Sequence, residues 1–180
     1  MKLLKEIRDE KFPDNKHQTK TRYASRIIAF DENGLIPLLF VSSKSYNKLP
    51  GGGINNKEDR ITALRREVSE ETGCAIKIQG EIGKIIEYRS AINFYRKWNL
   101  KQISYCYWGK IISKKNSPHF TKEEINDGFK LIWASLDEAI KKIEKDKPKD
   151  FEGSFIQKRD LIFLKNFKQK HEKNNSTKKI

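Results

Sequence analysis

Three glutamates stand close together on one predicted helix of this chain. Glu67, Glu70 and Glu71 are three and four residues apart, so they share one helix face. Like charges at this spacing repel by about 0.2–0.5 kcal/mol per pair, although the chain as a whole carries a formal net charge of +14. A divalent cation would turn this repulsion into attraction, because Mg²⁺ prefers hard oxygen ligands such as carboxylates. The spacing therefore indicates a metal-binding face.

The residues around these acids predict a loop and a helix that would position them. Three glycines at 51–53 let the backbone approach a ligand closely, with carbonyls available to a metal and N–H groups available to phosphate. The opposite helix face carries Leu64 and Val68, with Ile61 one turn earlier, and would pack on a core. Gly73 is placed to end the helix in a left-handed conformation.

The stretch from Gly52 to Cys74 resembles the box that defines the Nudix hydrolases, the MutT-like nucleotide pyrophosphohydrolases. That box reads G-x5-E-x7-R-E-U-x-E-E-x-G-U, where U is a bulky apolar residue. The matching residues are Gly52, Glu58, Arg66, Glu67, Val68, Glu70, Glu71 and Gly73. Cys74 at the final position is smaller than the usual residue, a difference that concerns packing and not chemistry.

The resemblance implies an α/β protein with the Nudix fold, an α/β/α sandwich around a mixed β-sheet. We expect a single domain over residues 1–170 and a polar, disordered tail over residues 171–180. Asn33-Gly34 between two apolar runs predicts a hairpin. Two short strands broken by glycines are predicted over residues 75–90, and one long strand over residues 100–113.

The second half of the chain offers further acids. Residues 113–128 predict a polar loop that contains Glu123 and Glu124. In the resembled family an acid in this region completes the metal site or acts as a base, which points to Glu124, with Glu123 as substitute and a loop acid without a role as the alternative. Ser135 and Glu138 form a capping box that starts a helix, and a last helix is predicted from about Glu152 to Gln169.

Three other features admit two interpretations. Phe94, Tyr95 and Trp98 could stack on a base or could anchor a loop. Arg26 could reach an anionic substrate or could be an exposed strand arginine. His17 lies among polar residues and is interpreted as a solvated loop histidine.

The chemistry implied by the resemblance is attack of metal-activated water on a phosphoanhydride. The cofactor is Mg²⁺, with Mn²⁺ as an alternative. The candidate metal ligands are Gly52, Glu67, Glu70 and Glu71. A carboxylate of Glu67, Glu70 or Glu124 would accept the proton, Arg66 would orient a box acid, and Glu58 would hold the loop against the helix.

The implied substrate is a small nucleotide, in which a nucleoside diphosphate is linked to another group. It could be a nucleoside triphosphate, an oxidised nucleotide or a dinucleotide. RNA with a 5′-pyrophosphate is an alternative substrate, to which the basic charge lends support. A non-catalytic Nudix-like module that binds a nucleotide is the alternative from another functional class, although such modules usually lose box acids.

Composition sets the remaining expectations. A length of 180 residues fits one domain with a core. The sequence pI of about 9.7 fits either attraction to polyanions or a general richness in lysine. No apolar run approaches the roughly 20 residues of a membrane helix, and the two cysteines, Cys74 and Cys106, have no metal-site or disulfide spacing. We expect a cytoplasmic protein without a membrane partner, and the sequence carries no mark of its oligomeric state.

Overall fold

The computed structural model describes residues 1–13, 18–93, 97–114 and 117–177. The interpretations of His17, Phe94 and Tyr95 concern residues outside these ranges. The helices and strands of the described residues are β1 Leu3–Arg8, β2 Thr19–Phe30, β3 Ile36–Val41, β4 Tyr46–Lys48, α1 Arg60–Thr72, β5 Cys74–Arg89, β6 Asn99–Lys114, α2 Lys122–Asn126, β7 Phe129–Ala134, α3 Leu136–Lys145 and α4 Phe151–Thr177.

The strands form two sheets, not one. The larger sheet has the order β1-β5-β6-β2. It is mixed, because β5 and β6 pair antiparallel while β1 pairs parallel with β5 and β2 parallel with β6. The smaller sheet, β4-β3-β7, is antiparallel. The predicted α/β architecture with a mixed sheet is confirmed, whereas the second sheet was not predicted.

The predicted hairpin between β2 and β3 is wrong, although its turn exists. Gly34 has φ 75°, and the Asp31 carboxylate accepts hydrogen bonds from the Asn33 and Leu35 N–H groups. The two strands nevertheless lie in different sheets. The free edge of β2 is occupied by residues 50–54, and β3 pairs with β4 and β7.

Three other predicted boundaries differ from the structure. The two short strands are one strand, β5, in which Gly80 and Gly83 mark shifts of register and not strand ends. The polar loop over residues 113–128 contains α2. Helix α4 continues to Thr177, beyond its predicted end at about Gln169, and no glycine or proline follows Gly153 to interrupt it.

Helix α1 has defined ends and a buried apolar face. The Asp59 carboxylate caps its first turn by accepting from the Ile61 and Thr62 N–H groups at 2.8 and 3.1 Å. Gly73 ends it with φ 66°. The predicted apolar face is confirmed, because Leu64 and Val68 are fully buried against the larger sheet.

The opposite face of the larger sheet contacts the rest of the fold. There a core cluster joins Ile28 and Cys106 of the sheet to Leu38 of the smaller sheet, Ile143 of α3 and Phe163 of α4. Cys106 and Cys74 are both buried and unpaired. No helix within the described ranges combines the length and apolarity needed to span a membrane.

Replacing Leu64 with alanine tests the packing of α1. Leu64 has no exposed surface, so we expect Leu64→Ala to lower the free energy of unfolding by about 2–5 kcal/mol. Urea denaturation followed by circular dichroism measures this. Arg65→Ala is the control, because Arg65 is the next residue and is exposed. Equal stability of the two variants would contradict the assigned helix faces.

Candidate active site

Arg66 gathers three carboxylates of the predicted site. Its Nε and Nη2 donate to Glu58 at 3.0 and 3.1 Å, and its Nη1 donates to Glu67 at 2.9 Å and to Glu70 at 3.1 Å. These bonds raise the pKa of Arg66, with Glu58 as the largest cause, and the same pair lowers the pKa of Glu58. Arg66 therefore keeps acids together that would otherwise repel one another.

The glycine segment lies along the free edge of β2. The Ile27 N–H donates to the Pro50 carbonyl, the Ser25 N–H to the Gly52 carbonyl, and the Ile54 N–H to the Tyr23 carbonyl, at 3.2, 3.0 and 3.0 Å. Residues 50–54 thus extend the larger sheet as an additional edge segment. This backbone pairing fixes the glycines relative to the sheet and to α1.

Gly52 lies directly against Glu67. A Cβ atom at position 52 would be 2.0–2.3 Å from the Glu67 carboxylate, which no real contact allows. Glycine at position 52 therefore permits this approach without displacing the Glu67 carboxylate. The Gly52 carbonyl already accepts one hydrogen bond from Ser25, and its second lone pair is available to another partner.

Glu71 is separated from this group by its own contacts. It is buried, with 2% of its surface exposed, and its carboxylate accepts from Lys48 Nζ at 2.7 Å and from the Gly51 N–H at 2.6 Å. Burial raises the pKa of Glu71, and Lys48 opposes that shift. Glu71 thereby fixes the start of the glycine segment, and Lys48 is a site residue that the sequence analysis missed.

The arrangement fits a hard cation at Glu67 and Glu70. One carboxylate oxygen of each is bonded to the same nitrogen of Arg66, so a positive group already lies between them. Carboxylate and carbonyl oxygens are the ligands that Mg²⁺ prefers. Among the described residues, no three Asp, Glu, His or Cys side chains are preassembled as a metal site, because Arg66 and Lys48 hold the acids.

Glu124 does not contribute to the Arg66 group and instead caps helix α2. Its carboxylate accepts from the N–H and hydroxyl of Thr121 at 2.8 and 2.9 Å, which makes it the capping-box residue of α2. The segment before α2 contacts the end of α1, since the His119 N–H donates to the Glu70 carbonyl at 2.7 Å. The pattern T-x-x-E could have identified this cap, just as S-x-x-E identified the one at Ser135. The neighbouring Glu123 is exposed.

Two residues with open interpretations are placed by the structure. Arg26 is buried, with 5% of its surface exposed, so the interpretation as an exposed strand arginine is wrong. Trp98 is 39% exposed, and Lys20 Nζ lies 4.7 Å from the centre of its ring.

Comparison with known proteins identifies relatives of this site and fold. The family model described as "NUDIX domain" matches residues 20–154. The chain is 27% identical over 114 residues to diphosphoinositol polyphosphate phosphohydrolase 2 of Rattus norvegicus, covering 62% of this chain and 56% of that protein. It is 28% identical over 127 residues to diphosphoinositol polyphosphate phosphohydrolase 3-beta of Bos taurus, covering 69% of each. The chain thus spans just over half the length of the rat protein.

Two solved structures share the architecture. The MutT protein of Methanosarcina mazei Go1 superposes with a TM-score of 0.57 at 19% identity, over 85% of this chain and 96% of that one. A NUDIX hydrolase of Nitrosomonas europaea gives a TM-score of 0.55 at 16% identity, over 83% and 90%. The likeness confirms the predicted fold.

The Arg66–Glu58 pair predicts a change in acid titration. In Arg66→Gln, we expect the pKa of Glu58 to rise back toward the ordinary glutamate value of 4.5. Because pairing lowers the pKa of Glu58, the ionised carboxylate stabilises the fold above pH 4.5. That contribution to the free energy of unfolding is lost as the pH falls through the folded-state pKa. The wild type should therefore lose more stability on acidification below pH 4.5 than Arg66→Gln.

Carbon-detected NMR titration of the glutamate side chains measures the pKa, and denaturation at several pH values measures the stability. Arg65→Gln is the control, because it removes one exposed positive charge from the same helix. An unchanged Glu58 pKa in Arg66→Gln would contradict the pairing.

Proposed function

The chain belongs to the NUDIX domain family, and from this premise we propose that it is a metal-dependent hydrolase of phosphoanhydrides. The observation that supports the proposal is the group around Arg66. Glu58, Glu67 and Glu70 converge there, and Gly52 lies against Glu67. A helix face that concentrates acid in a chain of net charge +14 is difficult to explain by solubility, whereas a divalent cation and a phosphate substrate account for it.

The proposed metal ligands are Glu67, Glu70 and Glu71 with the Gly52 carbonyl. When bound, Mg²⁺ or Mn²⁺ would neutralise diphosphate charge and lower the pKa of a bound water. Arg66 orients Glu67 and Glu70 through charge-assisted hydrogen bonds. The Glu71 carboxylate already accepts hydrogen bonds from Lys48 and the Gly51 N–H. Of the proposed ligands, Glu71 must therefore exchange the most contacts to bind a cation.

The proposed proton acceptor is a carboxylate of α1, Glu67 or Glu70. Glu70 has half of its side chain open to solvent, so it can be reached by water. Glu124 is the other candidate, and its carboxylate would have to leave the capping box of α2 to act. If Glu124→Gln loses turnover while α2 stays folded, Glu124 is the proton acceptor instead.

The proposed substrate class is a compound with a phosphoanhydride and a high negative charge. Nucleoside triphosphates, oxidised nucleotides and dinucleotides belong to it, and so do the diphosphoinositol polyphosphates after which the relatives are named. The positive field of the protein would concentrate any of them. Long RNA with a 5′-pyrophosphate is distinguished by a steep dependence of binding on salt.

The test is release of phosphate or pyrophosphate with and without Mg²⁺. The panel holds nucleoside triphosphates, oxidised dGTP, ADP-ribose, diadenosine tetraphosphate, a diphosphoinositol polyphosphate and 5′-triphosphate RNA. Metal-dependent release from one class supports the proposal and names the substrate. Absence of release from the whole panel by folded protein would favour the non-catalytic nucleotide-binding module.

Glu70→Gln should lower turnover by about 10²-fold or more while the protein stays folded, since Glu70 is exposed and supplies either metal binding or proton transfer. Steady-state kinetics on the best substrate of the panel measures this. Glu32→Gln is the matched control, because it removes an exposed glutamate in the turn between β2 and β3, outside the Arg66 group. Normal turnover in Glu70→Gln would remove Glu70 from the proposed site.

A further inference from the structure

Three arginines form a group on the face of the larger sheet that α4 covers. Arg22 and Arg26 lie four residues apart on β2 and therefore point to the same side as Ile28. Ile28 belongs to the core cluster that includes Phe163 of α4. Arg159 comes from α4 itself. We call Arg22, Arg26 and Arg159 the arginine pocket.

Arg26 makes no direct ion pair with a carboxylate of the described residues, although the charges of Asp160 and Glu71 favour its charged form. It is 5% exposed, and its one hydrogen bond runs from Nη1 to the Ser25 carbonyl at 2.9 Å. Its Nε has no partner. One neutral carbonyl replaces only part of the hydration that a buried guanidinium loses, so Arg26 keeps unused donor capacity.

Arg159 is incompletely bonded as well. It is 1% exposed, and its Nε donates to Asp160 at 2.7 Å. Neither Nη1 nor Nη2 makes a hydrogen bond to the described residues, and Glu87 is 3.8 Å from Nη1. Two donors of a buried cation are thus left for another acceptor.

The nearby acids are already used by other groups. Glu87 accepts from Arg89 at 3.0 Å and from Gln102 at 2.7 Å. Asp160, besides its bond to Arg159, accepts from the Leu49 N–H at 2.8 Å. Burial lowers the pKa of Arg26 to about 10, the charge of Arg159 adds to that shift, and Asp160 and Glu71 oppose it. Burial disfavours the charge of Arg159, but Asp160 and Glu87 outweigh it and raise the pKa of Arg159. What these acids leave open is the hydrogen-bonding capacity of the two guanidinium groups.

Arg22 connects the arginine pocket to solvent and to the candidate active site. It is exposed, and its hydrogen bond goes to the neutral amide of Gln102 at 2.6 Å. A Cβ atom on Gly53 would lie 3.0 Å from Arg22 Nη2, whereas one on Gly52 would meet Glu67. Consecutive residues of an extended segment face opposite sides, so Gly52 and Gly53 separate the acids from the arginines by the width of one backbone.

We propose that the arginine pocket binds a second anionic group of the substrate, a phosphate monoester distinct from the anhydride that is cleaved. This inference rests on the proposed function. Planar guanidinium donors match phosphate oxygens in pairs, and a dianion would supply the missing acceptors of Arg26 and Arg159. A nucleobase in the same place would offer fewer acceptor atoms to these unused donors.

Such a phosphate could come from two sources. One is a cyclic polyol that carries several phosphates, and the other is a nucleotide that carries a phosphate besides its anhydride. Inositol hexakisphosphate and adenosine 3′,5′-bisphosphate represent them as probes. Neither probe contains an anhydride, so their binding is independent of hydrolysis.

The experiment is isothermal titration of the full chain with each probe, without divalent metal and at constant ionic strength. We expect saturable binding of at least one probe with one site per chain. Arg22→Gln and Arg26→Gln should weaken it by about tenfold or more, because each removes hydrogen bonds to a charged group. Arg65→Gln, which removes one exposed positive charge from α1, should bind like the wild type.

The outcomes separate the two proposals. Failure of both probes to bind the wild type, or equal binding by Arg22→Gln and Arg65→Gln, would overturn the arginine pocket even if hydrolysis is observed. Binding lost in the arginine variants would support it even if no anhydride is cleaved. If Arg26→Gln does not fold, Arg22→Gln decides, since Arg22 is at the surface. The probe that binds more tightly identifies the source of the phosphate.

Discussion

The backbone pairing of residues 50–54 with the edge of β2 is the constraint on which the site depends. Three hydrogen bonds, from Ile27, Ser25 and Ile54, hold this segment beside the sheet. They set Gly52 against Glu67 and Gly53 against Arg22. Glu71 fastens the beginning of the same segment through the Gly51 N–H. Helix α1 packs on the same sheet. The positions of its acids relative to the glycines are therefore set by this packing and by the backbone hydrogen bonds.

The same constraint explains why the two charged regions can coexist. The acids around Arg66 and the arginine pocket carry opposite charge, and the charge of Glu67 acts on Arg22. The paired segment keeps them apart while leaving both next to one narrow piece of backbone. Within the acid group, Arg66 reduces the repulsion among Glu58, Glu67 and Glu70. The unused donors of Arg26 and Arg159 remain available to a ligand.

Local patterns predicted the parts of this protein that local interactions determine. The left-handed end of α1 at Gly73, its buried face at Leu64 and the capping box at Ser135 were all predicted correctly. The prediction for β2 and β3 failed because the turn at Asn33-Gly34 specifies a local reversal of the chain and carries no information about which strands pair. Glycines in β5 were interpreted as strand ends because a bulge and a break have the same sequence signal.

In the candidate site, too, local contacts were predicted from the sequence and contacts between distant elements were not. The box motif brought Glu58, Arg66, Glu67 and Glu70 into one group, since all four lie on one helix and its approach. Lys48 as the partner of Glu71, and Arg159 as a neighbour of Arg26, could not be predicted from the sequence, because these contacts cross between distant elements. Glu124 was assigned by family resemblance, although its own capping pattern with Thr121 indicated its local role.

Both thiols of the chain lie in its interior. Cys74 is 3% exposed and Cys106 has no exposed surface, and burial raises the pKa of Cys106 well above the usual thiol value. Only a thiolate reacts quickly with alkylating reagents, so the folded chain should be nearly inert toward them. A single cysteine introduced on the surface would then be the one reactive thiol, and a fluorophore or spin label could be attached there without removing either native residue.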